Sequence, residues 1–243
     1  MTRPQLVLGP SLGTSASSLW DACADLLSDD FEVLAWDLPG HGGEGTVATT
    51  DLTIPKLAAC VLAQLDETFY YAGDSVGGAV GLQLMLDAPE RVRSAVLLCT
   101  GARIGTPAGW LERIEQVSRH GTAALVEAST RRWFGPGFVN REPERAARLL
   151  DALRAAHDGG YVAVCTALAR FDVRARLGEI ATPVLAVAGS ADSVTPTECL
   201  GDIADGVQNG RLVVLDGVAH LAPAEDPPGV ADLIRRQFLE GTT

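Results

Sequence analysis

Long apolar runs are missing from this chain. Although 47% of its 243 residues are apolar, no stretch approaches the roughly 18 consecutive apolar residues that a bilayer-crossing helix needs. A membrane-spanning class is therefore not expected. Nor does the N-terminus carry the charged, apolar, then small-residue succession of an export leader, so a cytoplasmic location is expected. Paired cysteines are missing too. Cys23, Cys60, Cys99, Cys165 and Cys199 are odd in number, widely spread and never spaced as C-x-x-C. They read as free core thiols, and neither a disulfide framework nor a zinc site is expected. The third absence is an excess of positive charge. At a formal net charge of -12 the chain repels nucleic acid and acidic membranes, which argues against both as partners. Internal repeats and low-complexity tracts are also lacking, and homo-oligomer formation is left open.

What is present is unevenly charged. From Arg103 to Arg176 there are twelve arginines and no lysine against eight acids, a net of +4, so the rest of the chain carries -16. A basic segment is inserted in an acidic scaffold. That scaffold alternates short apolar runs with helical spacing. Strands are predicted at Gln5 to Leu8, Phe31 to Trp36, Phe69 onward, Ser94 to Cys99, Val184 to Ala188 and Arg211 to Leu215. The 3-to-4 spacing of Leu19, Cys23, Leu26 and Leu27, and of Leu57, Val61 and Leu65, predicts amphipathic helices between them. Continuous apolar strands without polar alternation fit a parallel sheet buried on both faces, wound by βαβ crossovers. The fold class is α/β, with residues 1–104 and 177–243 as core domain. Residues 105–176, helix after helix, form a lid.

One stretch carries chemistry. Gly73-Asp74-Ser75-Val76-Gly77 has the G-x-S-x-G form in which a tight strand-to-helix turn lifts a serine into exposed, strained geometry. In an open parallel sheet functional groups gather after the carboxyl ends of strands. Asp192 follows the strand at Val184, and His220 follows the strand at Arg211. The order Ser75, Asp192, His220 is that of a hydrolase triad on this kind of sheet. Imidazole takes the serine proton near neutrality, and the carboxylate holds its tautomer. Asp74 is the competing nucleophile, but that frame places β-branched Val76 at a tight position where Ser75 has glycine. An oxyanion hole is expected from the N–H of Val76, at a helix N-terminus, and of Leu12, in the loop after the first strand. His41, His120 and His157 read as structural or surface residues, with His157, which lies in the lid, still able to touch substrate.

With these residues the chain resembles the α/β-hydrolase superfamily over nearly its whole length, and more narrowly the 3-oxoadipate enol-lactone hydrolases. The narrower likeness rests on Ser11-Leu12-Gly13-Thr14 with Leu19-Trp20-Asp21, on Leu98-Cys99-Thr100-Gly101-Ala102-Arg103-Ile104-Gly105, on Arg132-Trp133-Phe134, and on Phe171-Asp172. The resemblance implies an α/β-hydrolase fold of six to eight mostly parallel strands covered by helices on both faces. It implies cofactor-free, metal-free opening of a small anionic lactone, through an acyl-enzyme on Ser75. A general carboxylesterase or C–C bond hydrolase on the same triad, and a ligand-binding protein without catalysis, are the alternatives. An anionic substrate meeting an acidic protein needs a local cation. Arg132 beside Trp133 is the expected carboxylate clamp, with Arg131 as runner-up.

Two departures from the family pattern stand out. The N-terminal hairpin is absent or reduced to Met1 to Pro4, which favours six strands. Position 74 is aspartate, which either acts on the charge of His220 or points into solvent; the residues leave both open. The chain ends at Thr243, so the decarboxylation that some relatives carry on a fused domain is expected to belong to another chain.

Overall fold

Apolar runs too short for helices become the sheet. In the computed structural model, which describes residues 3–43 and 51–240, the strands are β1 (Gln5–Gly9), β2 (Glu32–Ala35), β3 (Phe69–Asp74), β4 (Val92–Leu98), β5 (Val184–Gly189) and β6 (Gly210–Leu215). They form one six-stranded sheet in the order β2-β1-β3-β4-β5-β6, every neighbouring pair parallel. β3 and β5 are buried along their whole length, as uninterrupted apolar strands covered on both faces must be. Strand order reverses at β1, because β2 is laid on one side of it and β3 on the other. This reversal opens a crevice beyond the carboxyl ends of β1 and β3. The six-strand count agrees with the loss of the hairpin; Met1 and Thr2 lie outside the described residues.

The helices follow the expected rhythm. They are α1 (Ala16–Leu27), α2 (Ile54–Leu62), α3 (Val76–Asp87), α4 (Pro107–His120), α5 (Val126–Trp133), α6 (Phe138–Arg141), α7 (Pro143–Ala155), α8 (Asp158–Ala169), α9 (Thr197–Gly206), α10 (Ala222–Glu225) and α11 (Pro227–Arg235). Their starts are encoded locally. Ser15 and Ser18 form a reciprocal capping box on α1, and Thr106 caps α4 with Pro107 in the first turn. Helices α4 to α8 make up the segment between β4 and β5. Its apolar residues, among them Leu125, Leu149, Leu153 and Val164, join the same continuous core as the sheet. This helical segment is thus packed onto the sheet.

Two expectations need correction, on Leu26 and on the cysteines. Leu26 is exposed rather than on the buried face of α1, because Ala16 and Trp20 centre the buried stripe away from it. Cys60 is exposed on α2, outside its buried stripe of Ile54, Leu57, Ala58 and Val61, and Cys199 is half-buried, so only Cys23, Cys99 and Cys165 are core thiols. The last helix starts at Pro227 and ends at Arg235, continuing as a π turn over Arg236–Glu240. Among the described residues no helix is long and apolar enough to cross a membrane.

Candidate active site

The elbow is built by crowding. Cβ atoms added at Gly73 or Gly77 would come within 2.5 Å of the Gly77 or Gly9 backbone, a distance real side chains do not tolerate. Glycine at these positions lets the end of β1, the end of β3 and the start of α3 touch. Between them Ser75 sits at φ 52°, ψ −114°, a conformation that costs a non-glycine residue about 1–3 kcal/mol. The surroundings hold it there: Ser75 N–H donates to Leu98 O at 2.9 Å, and Ser75 O accepts from the Thr100 hydroxyl at 2.6 Å and from Ala79 N–H at 3.1 Å.

The structure brings all three predicted triad side chains together. His220 Nε2 is 3.0 Å from Ser75 Oγ, and His220 Nδ1 is 2.9 Å from Asp192 Oδ2. All three residues are buried. The loops that carry them are tied to each other, with Ala191 N–H donating to Val218 O at 2.9 Å. Burial works to raise the Asp192 pKa, but His220, the Thr195 hydroxyl and the Val194 N–H outweigh it, so the carboxyl is held below the usual range. Thr195, which no sequence pattern singled out, therefore fixes the acid that fixes the histidine.

The expected oxyanion donors lie beside Ser75. Val76 is the first residue of α3, so its N–H has no intrahelical acceptor and stands at the positive end of the helix. Leu12 lines the same cavity as Ser75 and His220. Gly77 N–H donates to Pro10 O at 2.9 Å, which fastens the loop carrying Leu12 to the elbow helix.

That cavity is small, about 60 Å³, and its far wall belongs to the lid: Trp110 and Arg113 from α4, Arg132 and Trp133 from α5, Tyr161 from α8. Larger depressions exist elsewhere, such as one of about 690 Å³ around Tyr70, Arg93 and Arg211, but no histidine faces a serine there. Arg132 reaches the cavity as predicted, and burial and the neighbouring Arg113 depress its pKa. Its Nε donates to Ala128 O, and neither Arg113 nor Arg132 forms an ion pair with a described carboxylate. Arg131 does not reach the cavity. It is exposed and pairs with Glu127 at 2.6 Å, because one step along α5 turns it about 100° from Arg132. The second cation is Arg113, which the sequence did not single out. Its signal was a place one helical turn beyond Trp110 in α4. His157 is likewise outside the cavity, exposed, with its Nδ1 accepting the Gly159 N–H at 3.1 Å to cap α8. His41 is buried against Tyr161, rings 6.1 Å apart, and burial lowers its pKa to about 4. It is a neutral packing residue behind the lid wall.

One carboxylate joins lid and sheet. Glu225 accepts Gly135 N–H at 2.6 Å with one oxygen and Ala219 N–H at 2.9 Å with the other, while His220 N–H donates to Trp133 O at 3.2 Å. Glu225→Ala should strand both donors and lower stability by about 2 kcal/mol, read as a shift in denaturant midpoint. An unchanged midpoint would show that the brace contributes nothing. Among the described residues no group of three or more His, Cys, Asp or Glu is placed to hold a metal ion.

Comparisons with known proteins place the chain among relatives of one family. Residues 6–233 match the model of the alpha/beta hydrolase family. The chain is 32% identical to 3-oxoadipate enol-lactonase 2 of Acinetobacter baylyi, over 93% of this chain and 85% of that protein. It is 31% identical to a protein named as a candidate carbamate hydrolase, RutD, of Agrobacterium fabrum, over 98% and 92% of the two chains. Among solved structures it superposes on the enol-lactonase of Burkholderia xenovorans with a TM-score of 0.91 at 29% identity, covering 96% of this chain and 90% of that one.

Proposed function

This chain belongs to the alpha/beta hydrolase family, and from that premise we propose that it is a serine hydrolase that opens a small, carboxylate-bearing lactone, with 3-oxoadipate enol-lactone as its candidate substrate. One observation carries the reading. A strained serine bonded to His220 shares a cavity of about 60 Å³ with two arginines that have no carboxylate partner. Such a cavity suits a compact anion far better than a long acyl chain. Two like charges held together favour a ligand that cancels them.

The chemistry follows from the placement of the groups. His220 Nε2, within the 2.6–3.2 Å typical of a general base, takes the Ser75 proton as Oγ attacks the lactone carbonyl. Asp192 accepts the Nδ1 hydrogen and steadies the imidazolium. Negative charge on the carbonyl oxygen falls to the N–H groups of Val76 and Leu12. The ring C–O bond then breaks, and the ring oxygen leaves as an enol that His220 protonates. This leaving group stays tethered to the acyl-enzyme and could close the ring again. Ketonisation removes that nucleophile, and water activated by His220 releases the acid and restores Ser75.

The test is a pair of assays on the same preparation, 3-oxoadipate enol-lactone and p-nitrophenyl acetate followed by absorbance. Turnover of the lactone at the higher kcat/KM supports the proposal. Rapid ester hydrolysis with no lactone opening would make the protein a carboxylesterase.

A further inference from the structure

Asp74, one residue before the nucleophile, is the least explained group in the elbow. It is completely buried, which excludes the solvent-facing one of the two alternatives that the sequence left open. Neither of its oxygens has a hydrogen-bond partner of normal geometry. The same is true of Ser11 Oγ, also buried, in the loop that presents Leu12. The strand register brings the segments that carry them side by side: Gly9 pairs with Gly73 across β1 and β3, Gly77 N–H bonds Pro10 O, and Ser11 lines the same cavity as Ser75. We propose that the Asp74 carboxyl and the Ser11 hydroxyl form a buried latch between the nucleophile elbow and the oxyanion loop, which makes Asp74 a positioning residue for the oxyanion hole.

Three features support this. First, the latch spans two segments whose relative placement sets the oxyanion site, since Ser11 immediately precedes Leu12 and Asp74 immediately precedes Ser75. Second, the partners are chemically matched. Burial, with Asp192 next, pushes the Asp74 pKa well above the ordinary 3.8; Ser11 acts against the rise, and Glu225 adds to it. The Cys99 thiol is the other titratable neighbour, and its pKa is itself raised by burial and by Asp74. A protonated carboxyl has one O–H to give and a carbonyl oxygen to accept, and a hydroxyl has the same pair of capacities. Third, hydrogen bonds at such sites are often long in a resting structure and tighten as charge develops on the substrate. Proton transfer plays no part in the role: the His220 ring is engaged by Ser75, Asp192 and Thr195.

The inference rests on acyl transfer at Ser75, so Ser75→Ala is run in the same assay. If it retains activity, the nucleophile assignment fails whatever Asp74 does. The test measures kcat and KM for Asp74→Asn, Asp74→Ala, Ser11→Ala and the double alanine variant, with whichever substrate the wild type turns over. Asp74→Ala and Ser11→Ala should each lower kcat roughly 10- to 100-fold at nearly constant KM, less than the roughly 10²–10³ of losing an oxyanion donor outright. The double variant should be no worse than either single, because both remove one interaction. Asn, which gives and accepts like the neutral acid, should restore kcat. The linkage sign gives a second readout. A carboxyl whose pKa is raised on folding contributes stability that is present below 3.8 and is lost as pH rises through the folded value. The melting temperature of Asp74→Asn should therefore gain on wild type with rising pH. Wild-type kcat in Asp74→Ala, an Asn variant as poor as the alanine, or losses that multiply in the double would overturn the latch. If Asp74→Ala does not fold, Ser11→Ala decides: an unchanged kcat rejects the proposal, and a loss at constant KM upholds it.

Discussion

Ser75→Ala is expected to lower kcat by about 10⁴- to 10⁶-fold while leaving the fold and substrate binding intact. The size follows from the serine's position in the reaction path. Without Oγ there is no acyl-enzyme, and what remains is water attack assisted by the oxyanion donors and by binding. Stability should not fall. The elbow at φ 52° stores strain that Ser75 shares with alanine, and the backbone bonds that hold it, from Ser75 N–H to Leu98 and from Thr100 to Ser75 O, involve no side-chain atom of Ser75. Circular dichroism and melting temperature report the fold, and steady-state turnover reports the loss. A variant retaining more than about a tenth of the wild-type kcat would reassign the nucleophile.

The second large effect concerns the arginines. Arg113→Ala and Arg132→Ala should each reduce kcat/KM for the carboxylate-bearing lactone by about 10- to 100-fold, the range of a hydrogen bond to a charged group. An uncharged ester of the same lactone should be almost indifferent. The double variant should lose less than the product of the singles, because removing one arginine also relieves the repulsion that depresses the Arg132 pKa. Arg132→Lys should recover part of the loss only, since a single ammonium cannot bind a carboxylate through two parallel N–H groups. Arg131→Ala, which removes an exposed pair with Glu127, should change neither substrate's kinetics. Equal losses on the lactone and its ester would show that the arginines serve packing.

Much of this was legible in the chain. Strand positions and the order Ser75, Asp192, His220 are visible because buried parallel strands are short apolar runs with functional loops at fixed ends. The elbow glycines mark themselves by spacing, and the hydrogen-bonded line from Ser75 to Asp192 follows from that frame. The lid reads less well. Its helices are predictable, but the choice between Arg131 and Arg132 depends on a rotation of one residue about α5, and Arg113 comes from another helix. Glu225 and Thr195 were invisible for a related reason: Glu225 acts by accepting the backbone N–H groups of Gly135 and Ala219, and Thr195 by donating its own N–H and its hydroxyl to Asp192, contacts that no spacing in the chain marks. Asp74 was visible as an anomaly, but its burial depended on the close approach of β1 to the elbow.

The central claim is that one serine carries the reaction in a cavity shaped for an anion. Its most direct measurement is titration with a fluorophosphonate, with intact mass, peptide mapping and residual turnover of 3-oxoadipate enol-lactone recorded on the same samples. The prediction is one phosphonyl group per chain, located on Ser75, with lactone turnover falling in proportion to labelling. Lactone turnover that survives full labelling of Ser75 would contradict it.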